Sequence, residues 1–426
     1  MNDLNNIYKE LGEHICLYPF FGAFYQTNNV IPSDQDSMPN SVRPCSIVMS
    51  DQRDKWDITD NSITNGRNTV HWKKMRQDFL EGKFHQIYDC RSCSYNECSG
   101  TTSPRQQNNN FLAQFLNIDI VSEVRSIMAQ DNCVHDVITL DYYPSNYCNY
   151  SCVMCAGGAS SQRLVFEIKA LGQKQKIVLN STDPDFVDIL DRVQIINFTG
   201  GETALQKQVH EIMDQLIEKN LAQNILITLL TNASSSANDL HDKFKHFRQV
   251  IYNVSIDGIG AIGEYQRRGS KWAKVEKHSL ELMSHPYIST VINFVLTAIN
   301  ALNIMEFVRW SYDNNFGPKN PEDIDGSFIN VSPVFRVDHL GVGALPESLR
   351  ILALERLQQG RDSIVSDSIY DSYYRQLIDR FMSVIQSTPY NSDYHTKFLA
   401  QISIEDTASK LSLAQVSPEW APYFHS

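Results

Sequence analysis

No apolar run in the 426-residue chain approaches the length of a membrane span, which needs about 20 mostly apolar residues. The first residues, Met1-Asn2-Asp3-Leu4, lack the charged-then-apolar order of a secretory signal peptide. Basic residues are in deficit: 37 Lys and Arg stand against 49 Asp and Glu, a formal net charge of −12. That balance disfavours non-specific nucleic-acid binding, while leaving room for a local basic patch. No low-complexity tract is present, and no repeat shorter than a strand–helix unit. The cysteines number nine, an odd count, and they are clustered instead of spread as a disulfide framework. A reducing, cytoplasmic setting is expected, with neither a membrane nor nucleic acid as partner.

What is present is led by one stretch, Tyr147-Cys148-Asn149-Tyr150-Ser151-Cys152-Val153-Met154-Cys155. Its C-x3-C-x2-C spacing follows a strand-like run, Val137-Ile138-Thr139-Leu140-Asp141-Tyr142-Tyr143. Three thiolates on a short loop can ligate three irons of a cubane cluster, because soft sulfur ligands select iron–sulfur and other thiophilic sites. Without a fourth thiolate at matching distance, one iron stays open to substrate or cofactor. A structural zinc site is the alternative, although such sites usually show paired C-x2-C knuckles.

Cys148, Cys152 and Cys155, with Met154 just before the last cysteine, resemble the cluster loop of the radical S-adenosylmethionine (SAM) enzymes. The resemblance implies a [4Fe–4S] cluster whose open iron binds the amino and carboxylate groups of SAM. It also implies an electron donor such as flavodoxin or ferredoxin, reductive cleavage of SAM to methionine and a 5′-deoxyadenosyl radical, and hydrogen abstraction from a substrate C–H bond. The protein's share of such chemistry is binding, orientation and exclusion of side reactions.

Later segments extend the resemblance in order. Val193-Gln194-Ile195-Ile196-Asn197-Phe198 reads as a buried strand running into Thr199-Gly200-Gly201-Glu202. The glycines allow close backbone approach and the carboxylate offers an acceptor for an ammonium group, so the resemblance assigns Gly200, Gly201 and Glu202 to SAM's amino group. Two further strand-like runs end at Asn232 and at Ser255-Ile256-Asp257, and parallel α/β sheets bind ligands at such strand ends. Resemblance puts Ser255 and Asp257 near the SAM ribose or methionyl group, with Asn232 beside them. Tyr265-Gln266-Arg267-Arg268-Gly269 resembles the family's Tyr-x-Arg-x-Gly segment, its Arg267 implied to pair with the SAM carboxylate in a charge-assisted bond.

Strand-like and helical runs alternate from about residue 136 to 336. Six strands are expected, at 137–143, 193–198, 224–230, 250–254, 288–296 and 328–335, with a helical face of Val209, Ile212, Met213 and Leu216 after the second. Alternation of this kind predicts an α/β protein with a parallel sheet, and six units agree with the partial (β/α)6 barrel that the resemblance implies.

Before the barrel, Cys16, Cys45 and the C-x2-C pair Cys90 and Cys93 offer four thiolates, enough for a closed site holding zinc or a second [4Fe–4S] cluster. The run Cys16, Pro44, Cys45, Trp72, Arg76, Phe79, Gly82, Cys90, Cys93, Gly100 and Arg105 resembles radical SAM proteins with an auxiliary-cluster, twitch- or SPASM-like module, which favours iron–sulfur over zinc. Cys98 is a fifth thiol, free or an alternative to Cys45. A short helix is expected around residues 71–82, a loop at Asn108-Asn109-Asn110, and a helix from about 111 to 128. The expected division is therefore an auxiliary module over 1–130, a radical SAM barrel over 131–340 and a helical region over 341–426, where Leu352, Leu354, Leu357, Tyr370, Tyr374, Leu377, Ile378, Phe381 and Ile385 form apolar stripes.

The function expected is oxidative modification of a peptide or small polar metabolite, aided by the auxiliary cluster; no cobalamin-binding module is evident. An iron–sulfur electron-transfer or redox-sensing protein without SAM cleavage is the alternative, and a zinc-bound structural protein a third reading.

Overall fold

The computed structural model describes residues 2–33, 41–46, 48, 62–98, 102–179, 189–235, 238–318, 328–334, 337–365 and 368–424. Gly100 and the end of the last expected strand at Phe335 lie outside them. The chain forms two units. One comprises Met1–Asn146, Gln175–Leu229 and Asp239–Val250; the other comprises Tyr147–Lys174, Leu230–Asn238 and Ile251–Ser426.

Ten strands are named in chain order: β1 Gly22–Gln26, β2 Asn28–Pro32, β3 Ser41–Arg43, β4 Thr139–Tyr143, β5 Gln175–Leu179, β6 Ile195–Phe198, β7 Leu226–Thr231, β8 Gln249–Ser255, β9 Ile288–Leu296 and β10 Ile329–Pro333. All six expected strands form, as β4, β6, β7, β8, β9 and β10. In the first unit the order is β3-β1-β4-β6-β7, with β1, β4, β6 and β7 parallel. In the second unit it is β8-β9-β10, with β9 and β10 parallel. The expected α/β architecture with a parallel sheet and a helical C-terminal region is the one found.

Register explains how the first unit builds its core. Leu140, Ile196 and Ile227 stand side by side, as do Tyr142, Phe198 and Leu229, and all six are buried. Successive side chains on a strand point to opposite faces, so these rows make one face. The helix Lys207–Glu218 buries the expected stripe of Val209, Ile212, Met213 and Leu216. A strand not foreseen from the sequence, β1, pairs with β4 in parallel and with β3 in antiparallel fashion. Strands β2 and β5 form a separate antiparallel ribbon.

Two local expectations are corrected. Asn108, Asn109 and Asn110 are helical, inside Pro104–Phe115. Ser103 and Gln106 cap that helix reciprocally, with proline in its first turn, and these signals outweigh the weak helix propensity of asparagine. The expected helix over 111–128 is instead divided at 116–119, and Asp119 caps the second piece, Ile120–Ala129.

In the second unit, Glu347–Ser363, Ile369–Ser387 and Ser392–Ser409 are helical. The middle helix buries Tyr374, Leu377, Ile378, Phe381 and Ile385 as expected. In the first of them, Leu352 and Leu354 are half-buried, and the buried line runs through Leu349, Ala353 and Leu357. Among the described residues, no helix is long and apolar enough to cross a membrane.

Candidate active site

The loop carrying Cys148, Cys152 and Cys155 is fixed by its backbone. Ser151 N–H donates to the Arg268 carbonyl and Val153 N–H to the Gln266 carbonyl, each at 2.9 Å. From the other side, Ser160 Oγ donates to the Tyr150 carbonyl at 2.5 Å, and Ser161 Oγ accepts from Cys148 N–H and donates to its carbonyl. Gly269 has φ +97°, and a β-carbon there would sit 3.3 Å from the Asn149 carbonyl oxygen, so glycine allows the close approach. Cys148, Tyr150 and Cys152 are buried together, with Met154 and Cys155 packed against them.

Three expected residues stand beside this loop. Asn232 Nδ2 lies 3.7 Å from Cys148 Sγ and donates to Asn149 Oδ1 at 3.0 Å. Arg267 pairs with Asp257 at 2.7 Å, and Asp257 also accepts from Val295 N–H at 2.7 Å. Burial pulls the Arg267 guanidinium down, but Asp257, then Cys152 and Cys155, raise it above its ordinary value. In return the Cys155 thiol is lowered, first by its hydrogen bond with Cys152 and also by Arg267, while that same hydrogen bond and burial raise the Cys152 thiol against the pull of Arg267. Cys155 is thus the member of the pair favoured as thiolate, the form that ligates metal. Ser255, the last residue of β8, is half-buried.

In the first unit, Gly200 has φ +113°, and a β-carbon there would lie 2.5 Å from the Ser145 carbonyl oxygen. Gly201 N–H donates to that same oxygen at 3.0 Å. No other residue type fits this turn without a shift. Glu202 is buried, and its Oε1 accepts from Ala204 N–H at 3.3 Å.

In the same unit the N-terminal cysteines act on one another electrostatically. Burial raises the Cys90 thiol most, followed by the charges of Cys16, Cys45 and Cys93; burial, then Cys45, pushes Cys16 up, with Cys93 adding to it. Cys98 is exposed, 3.9 Å from His85 Nδ1. Asn109, misread as loop, brackets Cys16: its Oδ1 accepts from Leu17 N–H at 3.0 Å and its Nδ2 donates to the Ile15 carbonyl at 2.8 Å. Arg105 forks onto Glu97 with two bonds of 2.8 Å and donates to the Ile15 carbonyl at 2.6 Å.

Among the described residues, no three or more His, Cys, Asp or Glu side chains are drawn together closely enough to hold a single metal ion. A cubane takes one thiolate per iron, so its ligands do not converge on one ion. The donor chemistry of both cysteine sets fits iron–sulfur ligation.

A polar row escaped the sequence reading. Asp141, Asn197 and Thr228 are in register on β4, β6 and β7, on the face opposite the Leu140 row. Asn197 Nδ2 donates to Asp141 Oδ1 at 2.5 Å, and Thr228 Oγ1 to Asn197 Oδ1 at 2.7 Å. The signal was a charged residue, Asp141, inside the strand-like run 137–143. Burial raises the Asp141 carboxyl to about 6, against the hydrogen bonds from Asn197 and Tyr18. Between about pH 4 and 6 the unfolded chain has lost this proton and the folded chain still holds it, so stability falls as pH rises through that window. Two pKa units correspond to about 3 kcal/mol. Asp141→Asn is expected to flatten this part of the stability–pH curve, measured by urea unfolding from pH 4 to 7; an unchanged slope refutes the assignment.

A family model described as the Radical SAM superfamily matches residues 142–297. No match was found among curated proteins. Solved structures with partial likeness include native anSMEcpe with bound AdoMet, at 17% identity and TM-score 0.38, covering 52% of this chain and 60% of that one. Another is Streptococcus suis SuiB bound to precursor peptide SuiA, at 16% identity and TM-score 0.37, covering 67% of this chain and 64% of that one. The chain therefore spans about three fifths of the length of these proteins. With the cysteine loop and the parallel strands that follow it, the family match identifies residues 142–297 as a radical SAM superfamily domain.

Proposed function

We propose that this protein is a radical SAM enzyme that oxidatively modifies a peptide or a small polar metabolite. The observation carrying the proposal is the three-cysteine loop, held by backbone bonds within the matched domain. Cys148, Cys152 and Cys155 hold a [4Fe–4S] cluster with one open iron. When bound, cluster and SAM supply a 5′-deoxyadenosyl radical for hydrogen abstraction.

The chain's own residues bind and orient. Gly200, Gly201 and Glu202 receive SAM's ammonium group, and Arg267 its carboxylate. Asn232, Ser255 and Asp257 stand near the ribose and methionyl portions, and Met154 lines the cluster. Cys16, Cys45, Cys90 and Cys93 hold a second [4Fe–4S] cluster, presented by a module over 1–130 ahead of a barrel over 131–340. An electron donor such as flavodoxin or ferredoxin and a cytoplasmic setting complete the reading.

The test is anaerobic reconstitution, reduction and measurement of 5′-deoxyadenosine released from SAM. Iron–sulfur absorbance without any 5′-deoxyadenosine favours the electron-transfer alternative; zinc without iron favours the structural one.

Glu202→Gln and Arg267→Ala are each expected to cost on the order of 1.5–3 kcal/mol of SAM binding, roughly tenfold or more in Kd. Because Arg267 also neutralises the fully buried Asp257, thermal melting is read beside binding, which separates lost SAM contact from a stranded carboxylate. Equal SAM affinity in both variants, read by equilibrium binding, refutes the assignment.

A further inference from the structure

We infer that Glu405, on the C-terminal helix Ser392–Ser409, is a positioning residue that sets the conformation of the Cys148–Cys155 loop through two arginines. Its functional meaning rests on the proposal that this loop holds the cluster.

Glu405 is fully buried and meets Arg163 and Arg268, both nearly so. Its Oε1 lies 2.6 Å from Arg163 Nη2, and its Oε2 accepts from Arg268 Nη1. These arginines belong to the two segments that hold the loop. Arg268 supplies the carbonyl that receives Ser151 N–H. Arg163 lies in the helix Ser161–Ala170, whose cap Ser160 binds the Tyr150 carbonyl. One carboxylate therefore sets the separation of both supports.

The surroundings reinforce that geometry. Asp406 accepts from Tyr265 Oη at 2.5 Å and lies 3.9 Å from Arg268 Nη2. The Phe166 ring faces both guanidinium groups, at 4.6 Å from Arg163 and 5.9 Å from Arg268. Buried ions lose hydration, and apolar side chains of similar volume often stabilise a core as well or better. A charged trio at this place contributes direction, since guanidinium forks bond in a fixed plane. Glu405 follows Phe398 and Ile402 on the buried face of its helix. It also lies beyond the matched span of 142–297, so the C-terminal region completes the support of the cysteine loop.

Hydrogen exchange on iron-free protein tests this. Glu405→Gln keeps the side-chain size and removes the charge. Amides of residues 148–155 are expected to exchange about tenfold faster or more, while those of β9 change less than about twofold. Glu405→Gln removes the carboxylate shared by two buried guanidinium groups, leaving Arg163 with Glu167 at 3.6 Å and Arg268 with Asp406 at 3.9 Å, and can unfold the chain, so Arg163→Met is measured beside it. That variant keeps the Glu405–Arg268 pair and releases one support, and the same local acceleration is expected. Unchanged loop exchange in either folded variant overturns the inference, as does an equal rise in loop and β9 in both variants. Iron-free protein separates the two readings: absent SAM cleavage defeats the proposed function without touching loop exchange, whereas unchanged exchange beside normal cleavage defeats this inference alone.

Discussion

Replacing Cys148, Cys152 or Cys155 with alanine is expected to reduce 5′-deoxyadenosine formation to background. A cluster with three protein ligands has none to spare, so losing one thiolate leaves a second iron uncoordinated by protein. The fold is expected to tolerate the change. The bonds that tie the loop to its surroundings from Ser151 and Val153 N–H and from Ser160 Oγ use no thiol. Cys148 Sγ accepts long contacts from Tyr150 N–H at 3.5 Å and Asn232 Nδ2 at 3.7 Å, and sulfur is a weak acceptor. A variant that melts near the wild-type temperature, keeps iron on the N-terminal cysteines and makes no 5′-deoxyadenosine supports the reading. Undiminished cleavage by the triple variant defeats it.

What the sequence made legible here was whatever is encoded by neighbours along the chain. The six strands show period-two burial or short apolar runs, as in β8, where Val250, Tyr252 and Val254 are buried and the residues between them half-buried. The cysteine loop is contiguous, and Gly200 reports its own backbone conformation. Long-range pairing was not legible. β1 is five residues, Gly22–Gln26, that join β4 across more than a hundred positions, and local pattern carries no register for such a partner. Asn109 reads as a turn residue, yet as a helical one its amide fits between Ile15 and Leu17; tertiary hydrogen bonds decided its place. Glu405 interrupts an apolar stripe in a region without a motif, and its importance emerges only when Arg163 and Arg268 arrive from elsewhere.

Replacing Cys90 and Cys93 with alanine is expected to lower iron and sulfide by one cluster per chain, about four irons, and to abolish product formation while leaving abortive 5′-deoxyadenosine formation intact. The cause is the difference between two ligand sets. Four thiolates close a cluster, leaving no open iron for SAM, so the N-terminal set cannot replace Cys148, Cys152 and Cys155 in cleavage. The structure invests in keeping these thiols in place: Arg105 and Asn109 hold the backbone on either side of Cys16, and the salt bridge from Arg105 to Glu97 ties that segment to the helix Arg91–Cys98, which carries Cys93. Burial raises the thiols of Cys16, Cys90 and Cys93, which opposes ionisation in the empty site. Metal binding must therefore supply the energy to deprotonate them, and loading is expected to accelerate as pH rises. Iron and sulfide analysis, with product and 5′-deoxyadenosine quantified in the same reaction, checks the outcome. Zinc in place of iron after anaerobic purification refutes a redox role for these cysteines, and product formation that survives their loss removes them from the reaction.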